Sequence, residues 1–185
     1  MFLFDQEKAF DRIEHDFIFK TLKKCRYGPN LINLIKAMCN KIFSRVTVNG
    51  ALTEKIKIQR SVRQGCPLSM LLYVTAIESL NININSNTNI QGIQIPNLKY
   101  EFKTIFHADD CTCLTRDEYS YKHLQDEFTK FGKVSGSAIN HDKTEILLIG
   151  NCRGNHPGLP PNLIKEHVKA LWIIFGTNDY SQKLL

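Results

Sequence analysis

The chain has 185 residues, 43% of them hydrophobic and 10% aromatic, and a formal net charge of +6. That is apolar material for about one domain with a sizeable core, which excludes a disordered segment, and the basic excess suits a polyanionic partner better than an acidic one. No run approaches the ~18 apolar residues of a membrane-spanning helix and no basic-then-apolar leader opens the chain, so a soluble intracellular protein is expected, with nucleus and cytoplasm not distinguished.

Phe2-Leu3-Phe4 reads as the end of a buried strand that delivers Asp5 to its tip. Asp11 and Glu14 have capping-box spacing for a helix burying Ile13, Phe17, Ile18, Thr21, Leu22 and Cys25. Gly28-Pro29-Asn30 breaks it, and a second helix follows with Leu31, Leu34, Ile35 and Met38 on one stripe. Val46 and Val48 alternate with Arg45 and Thr47, Asn49-Gly50 signals a turn, and Ile56 and Ile58 face away from Lys55, Lys57 and Gln59, giving a small basic hairpin near 44–60. Pro67 suits the first position of a helix running from Leu68 to about Ile82, and the asparagine-rich stretch Asn81 to Asn89 reads as its frayed end and a polar loop.

Tyr100 to Phe106 and Cys111 to Leu114 read as strands joined at His107-Ala108-Asp109-Asp110. Thr115 and Glu118 again match a capping box, and Tyr121, Leu124, Phe128 and Phe131 lie at helical spacing as core, with Gly132 to Gly136 ending that helix. A strand at Glu145 to Ile149, a Pro/Gly-rich stretch from Gly150 to Pro161 and an apolar run Ala170 to Phe175 complete the reading. Cys25, Cys39, Cys66, Cys111, Cys113 and Cys152 form no C-x-x-C pair and are read as reduced thiols. His107, Cys111 and Cys113 do not complete a tetrahedral zinc set, since the two cysteines share one face of a strand and further partners are lacking.

Chemistry enters through carboxylates. A lone Asp5 and a paired Asp109-Asp110, each at a strand tip, suit two divalent ions, which steady the attacking and leaving oxygens of phosphoryl transfer. Alone, an Asp-Asp pair is more often a turn whose side chains bond nearby amides than a metal site. Strand, helix, strand-turn-strand, helix, strand is also the order of a split β-α-β α+β fold, whose antiparallel ferredoxin-like sheet brings Asp5 beside the hairpin.

Four segments in one order carry a family likeness: Asp5-Gln6-Glu7-Lys8-Ala9-Phe10-Asp11, Arg63-Gln64-Gly65-Cys66-Pro67-Leu68-Ser69, Phe106-His107-Ala108-Asp109-Asp110, and Gly136 to Lys143. They resemble motifs A to D of a reverse transcriptase, nearest to those of LINE-type, non-LTR retrotransposons. His107, Met70 and Trp172 depart from the family's usual residues, and none of them is a metal ligand in it. The resemblance implies an α+β polymerase palm over 1–150, with part of the fingers near 44–60, and a linker and the start of the primer-grip and thumb region over 151–185. Fingers and thumb are expected to be truncated and to come from a longer chain. It implies RNA-directed DNA synthesis with an RNA template, a DNA primer, deoxynucleoside triphosphates and two Mg²⁺ ions, Mn²⁺ being possible.

By the same resemblance, Asp5 and Asp109 ligate metal, Asp110 supports that site and the Gln6 carbonyl adds an oxygen. Phe10 is the sugar gate, whose ring leaves no room for a 2′-hydroxyl, Gln64 and Gly65 line the nucleotide pocket, and Lys143 puts positive charge or a proton near the departing pyrophosphate. Read without it, Phe10 is core, Gln64-Gly65 a turn and Lys143 a solvated lysine. A non-catalytic remnant that binds nucleic acid is the alternative expectation. A phosphate-accepting aspartate domain or a two-metal nuclease does not account for Gln-Gly-Cys-Pro-Leu-Ser between the carboxylates.

Overall fold

Alternation along Phe2–Phe4 makes β1: Phe2 and Phe4 are buried on one face while Leu3 is only half covered. The computed structural model describes residues 1–97, 99–150 and 156–176. After β1 come α1 (Ala9–Arg12), α2 (His15–Lys24), α3 (Pro29–Cys39), the short strands β2 (Phe43–Ser44), β3 (Thr47–Val48), β4 (Ala51–Leu52) and β5 (Ile56–Lys57), and α4 (Pro67–Ser86). Then follow β6 (Ile93–Gln94), β7 (Glu101–Phe102), β8 (Thr104–His107), β9 (Asp110–Cys113), α5 (Tyr119–Ser135), β10 (Glu145–Leu147), a 3₁₀ turn (Pro161–Leu163), β11 (Ile164–Lys165), β12 (His167–Ala170) and β13 (Ile173–Gly176).

One sheet of five strands, ordered β11-β10-β1-β9-β8, organises the molecule. Its three inner pairings follow the split β-α-β order and are antiparallel, and β11 adds a parallel edge to β10. The helix-covered face is aromatic. Phe2 stacks on Tyr121 at 5.2 Å between ring centres and Phe4 meets Phe128 at 4.4 Å, which fastens the centre of the sheet to α5. Tyr121, Leu124, Phe128 and Phe131 are all buried, as their spacing predicts. Leu159 and Leu163, beyond residue 150, enter the same core.

Several local expectations change. The helix expected from Asp11 is two pieces: Ile13 turns extended between α1 and α2, so Asp11 sits inside α1 and its carboxylate accepts from Ser61 Oγ at 3.3 Å instead of capping. On α3 the inward residues are Ile32 and Ile35, whereas Leu31, Leu34 and Met38 face out. α4 runs through the asparagines to Ser86 because Ile77, Leu80 and Ile84 keep meeting the core at helical spacing. Its last carbonyls find a distant donor: Lys103 Nζ gives hydrogen bonds to Asn85 O and Asn87 O, at 3.2 and 2.9 Å. Lys103 is buried, and there the expected strand from Tyr100 to Phe106 divides into β7 and β8.

Asp117, not Thr115, caps α5, its carboxylate accepting from Ser120 N at 2.8 Å, while Glu118 holds His156 at 3.0 Å. The strand expected to Ile149 ends at Leu147. The apolar run 170–175 is no single strand, for Leu171 and Trp172 both take positive φ and turn β12 into β13. Asn49-Gly50 turns β3 into β4 as expected, with φ of 50° and 83°. Cys25 is exposed, Cys39 and Cys66 are half-buried, and Cys111 and Cys113 are buried free thiols with Sγ atoms 3.7 Å apart; Cys152 lies outside the described residues.

Candidate active site

Strand register builds the site. β1 pairs with β9 as Phe2↔Cys113, Leu3↔Thr112 and Phe4↔Cys111. One further step along that ladder sets Asp5 opposite Asp110. Because side chains alternate, Asp5 and Asp110 leave the sheet on the face opposite Phe4 and Cys111, so the strands that anchor the core also present the charges. On the other side of β1, Leu3 pairs with Glu145, and the Asp5 carbonyl accepts from Asn140 N at 2.8 Å, which carries the 140–143 turn past Asp5.

Asp5, Asp110 and Lys143 consequently line one pocket, together with Lys169, Ala170 and Leu171. Asp110 is also half of the His107↔Asp110 pair that closes the hairpin, with Ala108 in the left-handed region at φ 54°. Asp109 occupies the exposed turn beside it and does not line the pocket. Its charge is still felt there. Partial burial raises the Asp110 pKa, the Asp109 and Asp5 carboxylates raise it further, and only His107 opposes.

These are hard oxygen donors crowded by like charge, a setting a divalent cation relieves. Among the described residues no three His, Cys, Asp or Glu side chains converge as a ready cage. A pair of carboxylates still fits Mg²⁺, which binds through one or two of them and keeps positions for water and substrate phosphate.

The remaining expected residues form a second group outside that pocket. Phe10, on α1, stacks on Tyr73 of α4 with ring centres 4.6 Å apart and 25° between planes. Its carbonyl accepts from Val62 N at 2.8 Å, tying the loop that holds Gln64 and Gly65 to α1. Gln64 and Gly65 are exposed at the turn before α4, Gly65 at φ +80° with open space where a Cβ would stand. Gln6 is buried and its Oε1 accepts from Ser137 Oγ at 2.7 Å.

Sequence reasoning missed Glu145, Lys169 and Tyr73. Glu145 and Lys169 line the carboxylate pocket, and Lys169 also holds its Nζ 4.2 Å from the Trp172 ring centre. Their roles depend on strand placement, although Tyr73 had a local signal. It is one turn beyond Ser69 and one before Ile77 on the buried stripe of α4, and it is the aromatic member of that stripe, with a polar tip.

Comparison with known proteins agrees with this architecture. The chain is 31% identical over 95% of its length to the Transposon TX1 uncharacterized 149 kDa protein of Xenopus laevis, of which it spans 14%. It is 27% identical over 81% of its length to a Retrovirus-related Pol polyprotein from type-1 retrotransposable element R2 of Popillia japonica, of which it spans 21%. Among solved structures, a telomerase from Candida albicans in complex with a TWJ fragment of telomeric RNA superposes on 96% of the chain and 29% of its own, with TM-score 0.61 at 15% identity. An apo telomerase from Candida tropicalis truncated from its C-terminal domain covers 77% of this chain and 29% of its own, with TM-score 0.55 at 19% identity. These two share the fold. The family model for reverse transcriptase (RNA-dependent DNA polymerase) matches residues 1–175, and the chain therefore belongs to the reverse transcriptase family.

Proposed function

We propose that the chain is the palm of a non-LTR retrotransposon RNA-directed DNA polymerase, extending a DNA primer on an RNA template with deoxynucleoside triphosphates. The observation that carries this is the placement of Asp5 opposite Asp110, with Asp109 on the adjoining turn, in a pocket that Lys143 also lines. In the reaction the primer 3′-oxygen forms a bond to the α-phosphorus, the α–β phosphoanhydride bond breaks, pyrophosphate leaves and the hydroxyl proton passes to solvent. Asp5, Asp110 and Asp109 would hold Mg²⁺, or Mn²⁺ in its place, which when bound neutralises phosphate charge and favours the alkoxide form of the attacking hydroxyl.

The chain's own groups supply position and charge. The β1 and β9 tips hold the carboxylates on a rigid sheet, which fixes where the α-phosphate must sit. Lys143 offers positive charge on the pocket wall as charge gathers on pyrophosphate. Phe10, backed by Tyr73, bars a 2′-hydroxyl, and the Gln64-Gly65 turn, tethered through Val62 to Phe10, lets backbone approach the nucleotide. The +6 charge favours a nucleic-acid backbone.

Mg²⁺-dependent extension of a DNA primer on an RNA template tests this reading. Asp5→Asn, Asp109→Ala and Asp110→Asn should each abolish it, and extension equal to wild type in all three would sink the reading. The +6 net charge suits a nucleic-acid backbone with or without chemistry, which supports a second reading, a remnant that binds nucleic acid without catalysis. That reading predicts primer–template binding indifferent to Mg²⁺ and to these substitutions, with stop codons flanking the reading frame instead of further coding sequence.

A further inference from the structure

We propose that Tyr73 is a positioning residue that holds the Phe10 ring in place and so sets how strictly the site refuses a ribose; this rests on the polymerase reading and deepens it. Phe10 belongs to α1, a helix of four residues entered through Lys8 at φ 47° and left through an extended Ile13. One turn of helix has almost no stability of its own, so the orientation of a ring on it is decided by what lies behind. Behind it lies Tyr73, 1% exposed on the inner face of α4 and stacked on Phe10 at 4.6 Å. Phe10 itself is half-buried against the core and keeps part of its surface in solvent.

Tyr73 is also joined to the carboxylate side of the molecule. Its hydroxyl and Gln6 Nε2 are the two buried side-chain polar atoms, among the described residues, without a hydrogen-bond partner. Gln6 follows Asp5 in the chain, and its Oε1 is held by Ser137 at 2.7 Å. Burial pushes the Tyr73 phenol far up, the Asp109 carboxylate adds to the rise, and the Gln6 side chain works against it. One side chain thus backs the gate with its ring while its hydroxyl feels the Asp109 carboxylate and the Gln6 side chain. A buried hydroxyl that only Gln6 approaches, short of a well-formed hydrogen bond, carries a desolvation cost that phenylalanine in the same place escapes. Tyr73→Phe therefore keeps the stacked ring and the fold, whereas Tyr73→Leu keeps an apolar core and removes the surface against which Phe10 rests.

Two measurements on the whole chain test the proposal. Calorimetric titration with dATP and with ATP, in Ca²⁺ and bound to an RNA-template DNA-primer duplex, gives the preference for deoxyribose. Fluorine NMR of 4-fluorophenylalanine at position 10, without nucleotide, reports the ring. The expected result is an unchanged preference and resonance in Tyr73→Phe, and in Tyr73→Leu a shifted, broadened resonance with the dATP preference reduced about tenfold, the factor that ~1.4 kcal/mol represents. If Tyr73→Leu keeps the preference while Phe10→Ala loses it, the positioning role is wrong and the polymerase reading stands. An unmoved Phe10 resonance in Tyr73→Leu overturns the role as well. If the wild type binds neither nucleotide, the polymerase reading is overturned and this inference with it, whatever the ring does.

Discussion

Asp5→Asn separates the demands of the site from those of the fold. At neutral pH Asp5 and Asp110 stand opposite each other on antiparallel strands, with Asp109 adjoining, and the Asp110 pKa is raised first by partial burial and then by the Asp109 and Asp5 carboxylates. Like charges directly opposite on a sheet cost about 0.2–1 kcal/mol. They lie within the Debye length of ~8 Å at physiological salt, so screening trims that figure without erasing it. An amide of the same shape removes the repulsion, and at about 2–4 °C per kcal/mol for a chain of this size the metal-free variant should melt about 0.4–4 °C above wild type.

The sign with pH follows from the direction of the shift. A carboxyl whose folded pKa is raised destabilises the fold above that pKa, and the penalty fades as pH falls toward the ordinary Asp value. The advantage of Asp5→Asn should therefore be full at neutral pH and vanish near ~4. Mg²⁺ should reverse the ranking. At ten times its dissociation constant a bound ion adds about 1.4 kcal/mol to wild type, or about 3–6 °C, and almost nothing to the variant. Scanning calorimetry with and without Mg²⁺, alongside primer extension, reads all three effects. The reasoning fails if metal-free Asp5→Asn melts more than 3 °C below wild type, or if Mg²⁺ raises both proteins equally.

Four further outcomes are expected. Phe10→Ala should raise ribonucleotide incorporation relative to deoxyribonucleotide by at least tenfold, about 1.4 kcal/mol, in competition assays with both nucleotides present. Cys66, whose thiolate is favoured by the backbone amides of Ser69 and Leu68, by the Ser69 hydroxyl and by Arg63, should react with iodoacetamide at neutral pH faster than exposed Cys25, while buried Cys111 stays unlabelled until the protein unfolds; peptide mapping over time shows the order. Gly136→Ala should cost about 2 kcal/mol or more, seen as a fall of about 4–8 °C in melting temperature, because Gly136 has φ +79° and an added Cβ would sit 2.6 Å from Arg12 O. Lys103→Leu should cost about 1–3 kcal/mol in urea melts by stranding the Asn85 and Asn87 carbonyls at the end of α4.

The sequence was most readable where local chemistry and tertiary structure agree. Phe2-Leu3-Phe4 alternates and is a strand, Asn49-Gly50 has the backbone freedom its hairpin needs, Pro67 opens α4, and the aromatic stripe of α5 is buried throughout. It was least readable where a distant residue decides. Nothing local to Asn81–Ser86 announces that Lys103 will take up the last carbonyls of that helix. Nothing local to Thr115–Glu118 says that Asp117 will cap α5 while Glu118 holds His156. In the site, the carboxylates were visible as a set, but only the register shows that Asp110 faces Asp5 while Asp109 occupies the turn. Lys169 escaped notice because its pocket exists only once β12 and β13 fold against the sheet edge.

β1 explains how one short strand serves both purposes. Its even positions carry Phe2 and Phe4, whose rings pack on Tyr121 and Phe128, and its odd positions lead through Leu3 to Asp5. Shifting the register by one residue would exchange the faces, burying a carboxylate among aromatic rings and exposing two phenylalanines to water. A fully buried phenylalanine contributes about 1.5–3 kcal/mol through apolar area alone, so Phe2 and Phe4 hold the register several times more strongly than the like-charge cost at the strand tip opposes it. The aromatic face therefore keeps Asp5 and Asp110 opposed, and on the proposed metal-dependent reading the unfavourable charge this maintains is what a bound divalent cation would relieve.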